Sequence, residues 1–406
     1  MFDRLVILND ASTARGGATG LALLSARLLR ARGVPVTLFC GDAGDNPALA
    51  AAGIEVVAAG GARLLDQPRG RALTAGLWNR AARDRLAAWI AGTDTPGTVY
   101  HLHGWAQILS PSVFDALQPV ARRTVVHAHD FFLACPNGVF TDYRTATPCR
   151  RVPLGLDCLT TNCDKRSYAH KLWRAARGAA LARAFDQRLP WAAIAIIHPD
   201  MAPILGLAGL DRARMVTLRN PVTAYSATRV RAEANRSLFY IGRVEEDKGV
   251  PALIAAARAA GMPLTVVGEG SLRESLARAH PEVTFTGWKD RADIGALVQG
   301  ARGVAMASRH GEPFGLVVAE ALQSGLPVIL PDSSLLSREV VERGLGFTCD
   351  MRHPETLTAA IARLRDLPDT EVAAMSRRGV DPANALATTP DDWAEALLAL
   401  YARAAP

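Results

Sequence analysis

Short apolar runs alternate with longer amphipathic stretches along the whole chain. Each run has the length of a buried strand, and the stretches between them are long enough for helices. The runs are LVIL, VPVTLF, TVYHLH, TVVHAH, AAIAIIH and MVTL in the first half, and SLFYIG, PLTVVG, VTFTG, GVAMA and PVIL in the second. This alternation predicts an α/β protein with two open parallel sheets made of βαβ units.

The polar stretch TAYSATRVRAEANRS, residues 223–237, divides the runs into two sets. We predict that it links a first domain over residues 1–222 to a second domain over residues 223–390. The closing segment, residues 391–406, is predicted to be a helix whose apolar stripe fits either domain. Ligands of open α/β sheets bind beyond the carboxyl ends of the strands. A cleft where the strand ends of both domains face each other is therefore the expected site.

The segment GEPFGLVVAEALQSGLPVILPD, residues 311–332, predicts a helix followed by a buried strand. A proline marks the start of the helix, and the SGLP sequence marks its end. We expect the helix to be entered through Gly315, where free N–H groups attract an anion. Glu312 would precede this terminus, and Glu320 would lie about two turns inside the helix. The alternative for either glutamate is a solvated surface position.

A glycine and two cations follow the run SLFYIG. Gly242 and Arg243 stand at its end, and Lys248 comes after four further residues. This combination suits a diphosphate, because glycine lets the backbone approach and the cations offset the phosphate charge. Gly287 and Trp288 end another run and are expected at the same edge of the sheet.

The first run leads into a glycine-rich loop, NDASTARGGATG. Gly16 and Gly17 precede an amphipathic helix, and Asp42 ends the second run, as in a dinucleotide fingerprint. In that fingerprint the glycines follow the strand at once, whereas Asn9–Arg15 intervene here, which disfavours a nicotinamide dehydrogenase. A glycine-rich loop at a helix N-terminus that suits an anion or a sugar hydroxyl is the favoured interpretation.

Two runs end in a His-x-His pair. The pairs are His101 with His103 and His127 with His129. Alternate residues share a face of a strand, so the pairs are candidates for chelating a metal in a metal-dependent hydrolase. Structural histidines are the alternative. We consider His129, which precedes Asp130, the best candidate for contact with a ligand.

Four of the six cysteines fall within one short stretch, as Cys135, Cys149, Cys158 and Cys163. Their spacing lacks the close pairs of an ordinary zinc site. A structural metal is favoured over disulfides for a cytoplasmic chain, and four unrelated thiols are the alternative.

Charge distinguishes the two halves of the chain. Residues 1–222 hold 26 Lys and Arg against 16 Asp and Glu, and the remainder holds 20 against 23. The excess is densest in residues 165–188, which predict a helix with an apolar face of Tyr168, Leu172 and alanines directed at the core. Its other face suits an anionic lipid surface or plain solvent, and carries Arg166, His170, Trp173, Arg174 and Arg177.

No apolar run approaches the ~18 residues that span a bilayer, and the start of the chain lacks a signal-peptide core. We therefore predict a cytoplasmic protein with a peripheral membrane association and no nucleic-acid partner.

Together, GRVEEDKG, the glycine-rich first loop, HDFF and above all EPFGLVVAE resemble glycosyltransferase family 4. Members of this family are retaining enzymes with the GT-B fold, in which two Rossmann-like domains face each other across a cleft. The signature is a glutamate, seven residues and a second glutamate, which Glu312 and Glu320 match. The resemblance extends over nearly the whole chain. It implies that the closing helix packs back on the first domain.

The resemblance also implies roles for individual residues. Glu320 would hold the ribose of a UDP- or GDP-sugar, and Glu312 the hydroxyls of the donor sugar. Arg243 and Lys248 would neutralise the leaving diphosphate, so that no divalent metal is needed for catalysis. The remaining contacts are His129 near the reacting carbon, Gly17 with Gly16 beside the phosphates, Gly242 at the strand end, Gly287 and Trp288 at the base, and the amides of Phe314, Gly315 and Leu316 at the sugar and distal phosphate.

The predicted function is transfer of a sugar, with retention, to a lipid-linked or surface-glycan acceptor at the cytoplasmic membrane face. A metal-dependent hydrolase that uses the histidine pairs is one alternative. A non-catalytic sugar-nucleotide binding protein on the same scaffold is the other. NPV at residues 220–222 and the cysteine segment depart from the family pattern, and they concern the acceptor side.

Overall fold

The computed structural model describes residues 2–14 and 16–405. Its strands match all eleven predicted runs and add two short strands to the parallel sheets and a small hairpin. The strands are β1 Arg4–Asn9, β2 Val36–Cys40, β3 Glu55–Ala58, β4 Thr98–Leu102, β5 Thr124–Ala128, β6 Thr141–Asp142, β7 Thr147–Pro148, β8 Ala193–Ile196, β9 Met215–Thr217, β10 Ser237–Ile241, β11 Leu264–Val267, β12 Thr284–Gly287, β13 Ala301–Ala305, β14 Val328–Pro331 and β15 Gly346–Cys349.

Helices follow most of the strands. They are α1 Gly17–Ala31, α2 Pro47–Ala51, α3 Arg69–Leu77, α4 Arg80–Thr93, α5 Ser112–Leu117, α6 Leu156–Thr160, α7 Tyr168–Ala184, α8 Met201–Gly206, α9 Val250–Ala259, α10 Arg273–Ala279, α11 Arg291–Leu297, α12 Leu316–Gln323, α13 Ser337–Glu342, α14 Pro354–Asp366, α15 Asp369–Val380 and α16 Pro390–Ala404. In the part of the chain that is described, no helix combines the length and the apolar character needed to cross a membrane.

The strands form two parallel sheets, as the sequence predicts. The seven-stranded sheet has the order β3-β2-β1-β4-β5-β8-β9, and the six-stranded sheet has the order β12-β11-β10-β13-β14-β15. Strands β2, β4, β5, β13 and β14 are buried at every position. Full burial is expected where helices cover both faces of a parallel sheet, and it explains why these strands are mostly apolar and do not alternate with exposed polar residues.

Two compact units contain these sheets. The first comprises residues 1–140, 150–219 and 390–406, and the second comprises 141–149 and 220–389. The hairpin of β6 and β7 therefore groups with the second unit, which no pattern along the chain predicts.

The stretch predicted as a linker is packed instead. Tyr225 is buried, and Val230 and Ala232 are fully buried. The backbone N–H groups of Tyr225 and Val230 donate to the side-chain and backbone oxygens of Ser324, at 2.8 Å each. Apolar residues spaced through a polar segment anchor it to the second unit, so residues 223–237 are part of that unit and not a linker.

Helix α7 has the opposite orientation to the predicted one. Arg177 is buried and donates to the carbonyl of Ala106 at 3.0 Å, while Tyr168 and Leu172 are 39% and 46% exposed. Periodicity separates the two faces of this helix but does not say which of them is covered. Here the buried guanidinium finds a carbonyl partner, and part of the apolar face remains exposed.

The closing helix α16 packs within the first unit. Trp393 and Tyr401 are fully buried on its inner side. The Tyr401 hydroxyl lies 2.6 Å from Nδ1 of His101 on β4, and Arg32 of α1 pairs with Asp391 at 2.6 Å. Both contacts join the last helix to the first unit, and only Pro406 of the predicted segment lies outside the described residues.

Gly249, between Lys248 and α9, is expected to tolerate no side chain. Its φ is +69°, and a Cβ there would lie 1.9 Å from the carbonyl oxygen of Ala307. Gly249→Ala should reduce the free energy of unfolding by about 2–4 kcal/mol, through backbone strain and the clash with the loop after β13. Chemical denaturation measures the loss. Gly261→Ala is the matched control, because Gly261 has φ +63° but meets only the end of Arg365, at 3.4 Å. Equal losses in the two variants would contradict the backbone clash.

Candidate functional site

The loop between β13 and α12 brings Glu312 against a set of polar partners. Its Oε1 forms an ion pair with Nζ of Lys248 and accepts a hydrogen bond from Oγ of Ser308 at 2.8 Å. Nε2 of His310 lies 3.4 Å from the same oxygen. The backbone carbonyl of Glu312 accepts from the N–H of Leu335 at 3.1 Å. Glu312 and Lys248, for which the resemblance implies separate roles at one donor site, are therefore in direct contact.

The carboxylate of Glu312 is negatively charged in the folded protein. Burial by itself would raise the pKa of Glu312, but the hydrogen bond from His310 and the positive charge of Lys248 outweigh burial and hold the pKa well below its ordinary value. The carboxylate is therefore ionised throughout the physiological range. A hydroxyl brought to it would meet a strong hydrogen-bond acceptor.

Gly315 lies directly before α12, as predicted. It adopts the left-handed conformation with φ +76°, and the helix begins at Leu316 behind the buried ring of Phe314. Glu320 lies four residues after Leu316, which is just over one helical turn and not the two turns predicted. The amides of the three residues 314–316 therefore precede or begin the first turn.

Two partners that the sequence did not reveal hold Glu320. The hydroxyl of Tyr225 donates to Oε2 at 2.8 Å, and Nη1 of Arg291 donates to Oε1 at 2.9 Å. The guanidinium of Arg291 also lies 5.4 Å from the centre of the Tyr225 ring. Burial and the neighbouring Glu320 charge raise the pKa of Tyr225 well above its ordinary value, so the hydroxyl stays a donor. No local motif marks these residues, because 95 and 29 positions separate them from Glu320.

The strand ends of the six-stranded sheet carry the remaining predicted residues. Gly242 has φ +155°, and its N–H donates to the Val267 carbonyl at 2.9 Å. Arg243 is exposed and forms no ion pair within residues 2–14 and 16–405, so its guanidinium is available to an anion. Gly287 has φ +73°, and the Trp288 ring beside it is 70% exposed. An exposed aromatic ring at a strand end suits stacking on a planar ligand.

The predicted glycine loop lies in the first unit. Gly17 begins α1 and Gly16 precedes it. A Cβ on Gly16 would meet no atom within 4 Å, so packing within the chain does not require a glycine there. The Asp42 carboxylate accepts from the N–H of Ser12 at 2.8 Å and from its hydroxyl at 3.1 Å. Asp42 therefore fixes the loop from within.

The four strand-end histidines form one hydrogen-bonded chain. His129 Nε2 lies 2.9 Å from His103 Nδ1, His103 Nε2 lies 3.1 Å from His101 Nδ1, and His101 Nε2 lies 3.2 Å from His127 Nδ1. The outer nitrogens, His127 Nε2 and His129 Nδ1, are buried and have no hydrogen-bond partner among the described residues. Ligand atoms of His101, His103 and His127 lie within 4.8 Å of one another, so these three are close enough to share a metal ion. His129 is outside that group.

Burial keeps this chain neutral. It lowers the pKa of His129 to about 3, and together with the neighbouring imidazoles it lowers the pKa values of His101, His103 and His127 well below 6.5. Burial raises the pKa of the adjacent Asp130 to about 6. His129 would therefore meet a ligand as a neutral imidazole.

Acid is expected to unfold the first unit cooperatively. Unfolded histidines take up protons below pH ~6.5, whereas the folded ones do not, so stability present above that pH is lost as the pH falls. At pH 5 the loss is roughly 2 kcal/mol for each histidine, and earlier protonation of folded Asp130 offsets part of it. Denaturation curves between pH 7 and 4 measure the slope. The exposed His353 provides the control variant, His353→Gln, which should leave the slope unchanged. Stability that stays constant to pH 4 would contradict the neutral chain.

The structure does not gather the four cysteines into a metal site. Cys149 belongs to the second unit, and Cys158 and Cys163 instead flank the amine of Lys171 at 3.3 and 3.2 Å. Within the described residues, the group close enough to hold a metal contains histidines and no cysteine. A lysine amine, not a metal ligand, thus lies beside two of the four predicted thiols.

A family model matches the second half of the chain. The model described as "Glycosyl transferases group 1" matches residues 224–379. This segment contains four residues of the candidate site, which are Glu312, Glu320, Arg243 and Lys248.

Two curated proteins resemble the chain, the first over a longer stretch than the second. Glycogen synthase of Mycobacterium tuberculosis (strain CDC 1551 / Oshkosh) is 28% identical over 290 residues, which are 67% of this chain and 66% of that protein. A GDP-mannose-dependent alpha-(1-6)-phosphatidylinositol dimannoside mannosyltransferase of M. tuberculosis (strain ATCC 25177 / H37Ra) is 32% identical over 149 residues, 35% of this chain and 38% of that protein. The chain thus spans slightly less than two thirds of the first curated relatives that it matches.

Among solved structures, Anabaena Alr3699/HepE in complex with UDP superposes with a TM-score of 0.67 and 16% identity, covering 98% of this chain and 99% of that one. Such identity shows the fold alone, and the prediction of two parallel-sheet domains of the GT-B type is confirmed. The family model and the curated relatives that match this chain are described as glycosyltransferases and synthases of sugar polymers.

Proposed function

We propose that this protein transfers a sugar from a nucleotide-diphosphate sugar to an acceptor with retention of anomeric configuration, as in glycosyltransferase family 4. The observation that carries the proposal is the pairing of Glu312 with Lys248 just before the start of α12. Glu320 lies just over one turn inside the same helix. A carboxylate just before the helix start, a second carboxylate just over one turn inside the helix, and a cation beside the first suit a ligand with two sugars and a diphosphate.

Each residue in this proposal has a chemical task. Glu320 binds the ribose hydroxyls, with Tyr225 and Arg291 fixing its orientation, and Glu312 binds hydroxyls of the donor sugar. Lys248 and the exposed Arg243 offset the charge of the leaving diphosphate, so no divalent ion is required. The amides of residues 314–316 donate to the sugar and the distal phosphate.

The base and the phosphates have further contacts in the proposal. Gly242 lets the backbone approach the diphosphate, and the proposal gives Gly16 and Gly17 contacts with phosphate. Gly287 leaves room for the base, on which Trp288 stacks. The donor is a UDP- or GDP-sugar.

Retention follows if the acceptor attacks from the face that the diphosphate leaves. The departing phosphate oxygen takes the proton of the acceptor hydroxyl, and the carbon–oxygen bond to the phosphate breaks as the new glycosidic bond forms. His129, neutral because of burial, donates or accepts a hydrogen bond near the reacting carbon without adding charge. A double displacement would need a carboxylate nucleophile beneath the sugar, and no described residue is assigned to that place.

The acceptor in this proposal is a lipid-linked or surface glycan at the cytoplasmic membrane face. Exposed apolar side chains of the first unit support a peripheral association, since Leu156 is 80% exposed and Leu172 46%. Tyr168 joins their two helices through a hydrogen bond from its hydroxyl to the Leu159 carbonyl at 2.8 Å. Lys165 and Arg166 are exposed between them, and such mixed surfaces bind anionic lipid.

Thermal shift with a panel of nucleotides tests the donor half. UDP, GDP, ADP and their sugar conjugates are added to the full chain with and without EDTA. We expect one nucleotide diphosphate to raise the unfolding temperature equally in both conditions. No shift with any nucleotide would overturn the donor assignment.

Transfer from the stabilising donor tests the acceptor half. Radiolabelled sugar should move to a membrane lipid fraction, and nuclear magnetic resonance of the product should give the anomeric configuration of the donor. Sedimentation with anionic vesicles, but not neutral ones, is expected. A product with the inverted anomeric configuration would contradict the retaining mechanism.

The histidine group favours a metal-dependent hydrolase as a second candidate. Catalytic zinc needs an open coordination position for water, whereas His101 is fully buried and His103 and His127 are nearly so. Mutual hydrogen bonds also occupy the inner nitrogens. Stoichiometric zinc in the purified protein, with loss of hydrolysis on chelation, would favour this candidate.

A further inference from the structure

Lys171 is a buried lysine whose amine contacts two sulfurs. Its side chain on α7 is 1% exposed, and Nζ lies 3.3 Å from Sγ of Cys158 and 3.2 Å from Sγ of Cys163. The described part of the chain offers it no ion pair with a carboxylate. The nearby Asp164 carboxylate pairs with Arg174 at 3.0 Å. The amine therefore depends on sulfur for its partners.

A buried ammonium is costly unless an anion compensates it. Burial would lower the pKa of Lys171, but its contacts with Cys163 and Cys158 outweigh burial and raise it, so the amine remains protonated. A thiolate on either sulfur would supply the compensating charge, because both sulfurs lie within hydrogen-bond distance of the amine. Thiolates beside a lysine are the reactive form of cysteine in peroxide oxidation and alkylation.

A second donor distinguishes the two sulfurs. Nδ2 of Asn137 donates to Sγ of Cys163 at 3.2 Å and to the Cys163 carbonyl at 3.0 Å. Cys163 thus receives hydrogen bonds from both Lys171 and Asn137, whereas Cys158 receives one from Lys171. Two donors stabilise negative charge on Cys163 more than on Cys158.

We propose that Cys163, Cys158 and Lys171 form a peroxide-sensitive modification site, in which Cys163 is the reactive thiolate and Cys158 resolves it. This site is independent of the proposed sugar transfer. Its function is to detect peroxide through oxidation of the two cysteines beside helix α7.

The chemistry balances with hydrogen peroxide as the oxidant. The Cys163 thiolate attacks one peroxide oxygen, the oxygen–oxygen bond breaks, and after protonation the products are a sulfenic acid and water. The Cys158 thiol then attacks the Cys163 sulfur, a sulfur–sulfur bond forms, and the hydroxyl leaves with the thiol proton as a second water. Peroxide gains two electrons, and each sulfur supplies one. The product leaves Lys171 without a thiolate countercharge.

Peptide mass spectrometry of the full chain tests the site. Reduced protein is treated with graded peroxide, trapped by an alkylating reagent and digested with trypsin. Residues 152–165 form one tryptic peptide that holds both cysteines. We expect this peptide to lose two hydrogens and to escape alkylation at both cysteines. Cys149, in a separate peptide, serves as the internal reference.

Matched variants separate charge from packing. Lys171→Met should slow the oxidation of Cys163 by about tenfold, because each unit of thiol pKa changes the thiolate fraction about tenfold. Lys171→Arg retains the charge and should stay close to the wild-type rate. Cys158→Ser should stop at the sulfenic acid. Thermal unfolding identifies any variant that fails to fold, and Asn137→Ala then provides an independent test with a smaller slowing.

Three outcomes would overturn the proposal. The first is an unchanged Cys163 rate in a folded Lys171→Met variant. The second is a sulfenic acid that accumulates at Cys163 while Cys158 remains alkylatable. The third is a stoichiometric metal on the reduced protein whose removal is needed before either cysteine reacts.

Discussion

Replacement of Glu312 by glutamine is expected to lower kcat/KM for sugar transfer by about 10²–10³-fold, the usual range for one preorganised electrostatic contact. The amide keeps the shape of the side chain but removes the negative charge that pairs with Lys248. Lys248 then turns away or loses its orientation, and the donor-sugar hydroxyls lose an ionised acceptor. Steady-state transfer from the donor identified by thermal shift measures the effect.

Glu246 supplies the control for this variant. It is exposed in the same loop as Lys248 and pairs with Arg309 at 3.3 Å. Glu246→Gln should therefore leave kcat/KM within about twofold of wild type, since exposed ion pairs contribute little. A Glu312→Gln enzyme with wild-type kcat/KM would remove Glu312 from the mechanism, provided that its fold is intact.

Glu320→Ala is expected to weaken binding of the nucleotide diphosphate by roughly 30–150-fold, because hydrogen bonds to a charged group contribute ~2–3 kcal/mol. The variant removes the ribose acceptor and also releases Tyr225 and Arg291, which both bind this carboxylate. Isothermal titration with the nucleotide measures the dissociation constant. Tyr225→Phe, which retains the carboxylate, should cost less than Glu320→Ala.

Glu342 is the corresponding control on a nearby helix of the same unit. It is 65% exposed and pairs weakly with Arg338 at 3.8 Å. Glu342→Ala should bind nucleotide as tightly as wild type. If Glu320→Ala also binds normally while its unfolding temperature is unchanged, the ribose role of Glu320 is wrong.

Local sequence patterns predicted what depends on neighbours along the chain. The continuous apolar runs gave both parallel sheets, because strands buried on two faces need no polar alternation. Gly315 and the residues after it predicted the start of α12, since helix entry depends on a few adjacent positions. The family resemblance assigned Glu312 and Lys248 to one donor site but did not predict their ion pair, because 64 positions separate the two residues.

The predictions that were wrong concern residues whose burial depends on partners distant along the chain. Tyr225 lies in a segment that is polar enough to be predicted as a linker, and only its contacts with Ser324 and Glu320 reveal that it is packed. Arg177 was placed on an exposed face because arginines are usually exposed. The carbonyl of Ala106, 71 positions away, makes its burial possible. Short strands β3 and β15 have too few apolar residues for a pattern to mark them.

The hairpin of β6 and β7 has a consequence for dissecting the protein into independently folding pieces. Residues 141–149 group with the second unit although residues of the first unit flank them on both sides. Within that unit, the N–H of Gly311 donates to Oγ1 of Thr141 at 3.2 Å, next to Glu312. A fragment that contains only residues 220–389 would leave this N–H without its acceptor. The chain segment that carries Glu312 is thus completed by residues from before the second sheet begins, so the second unit is not a continuous stretch of the gene.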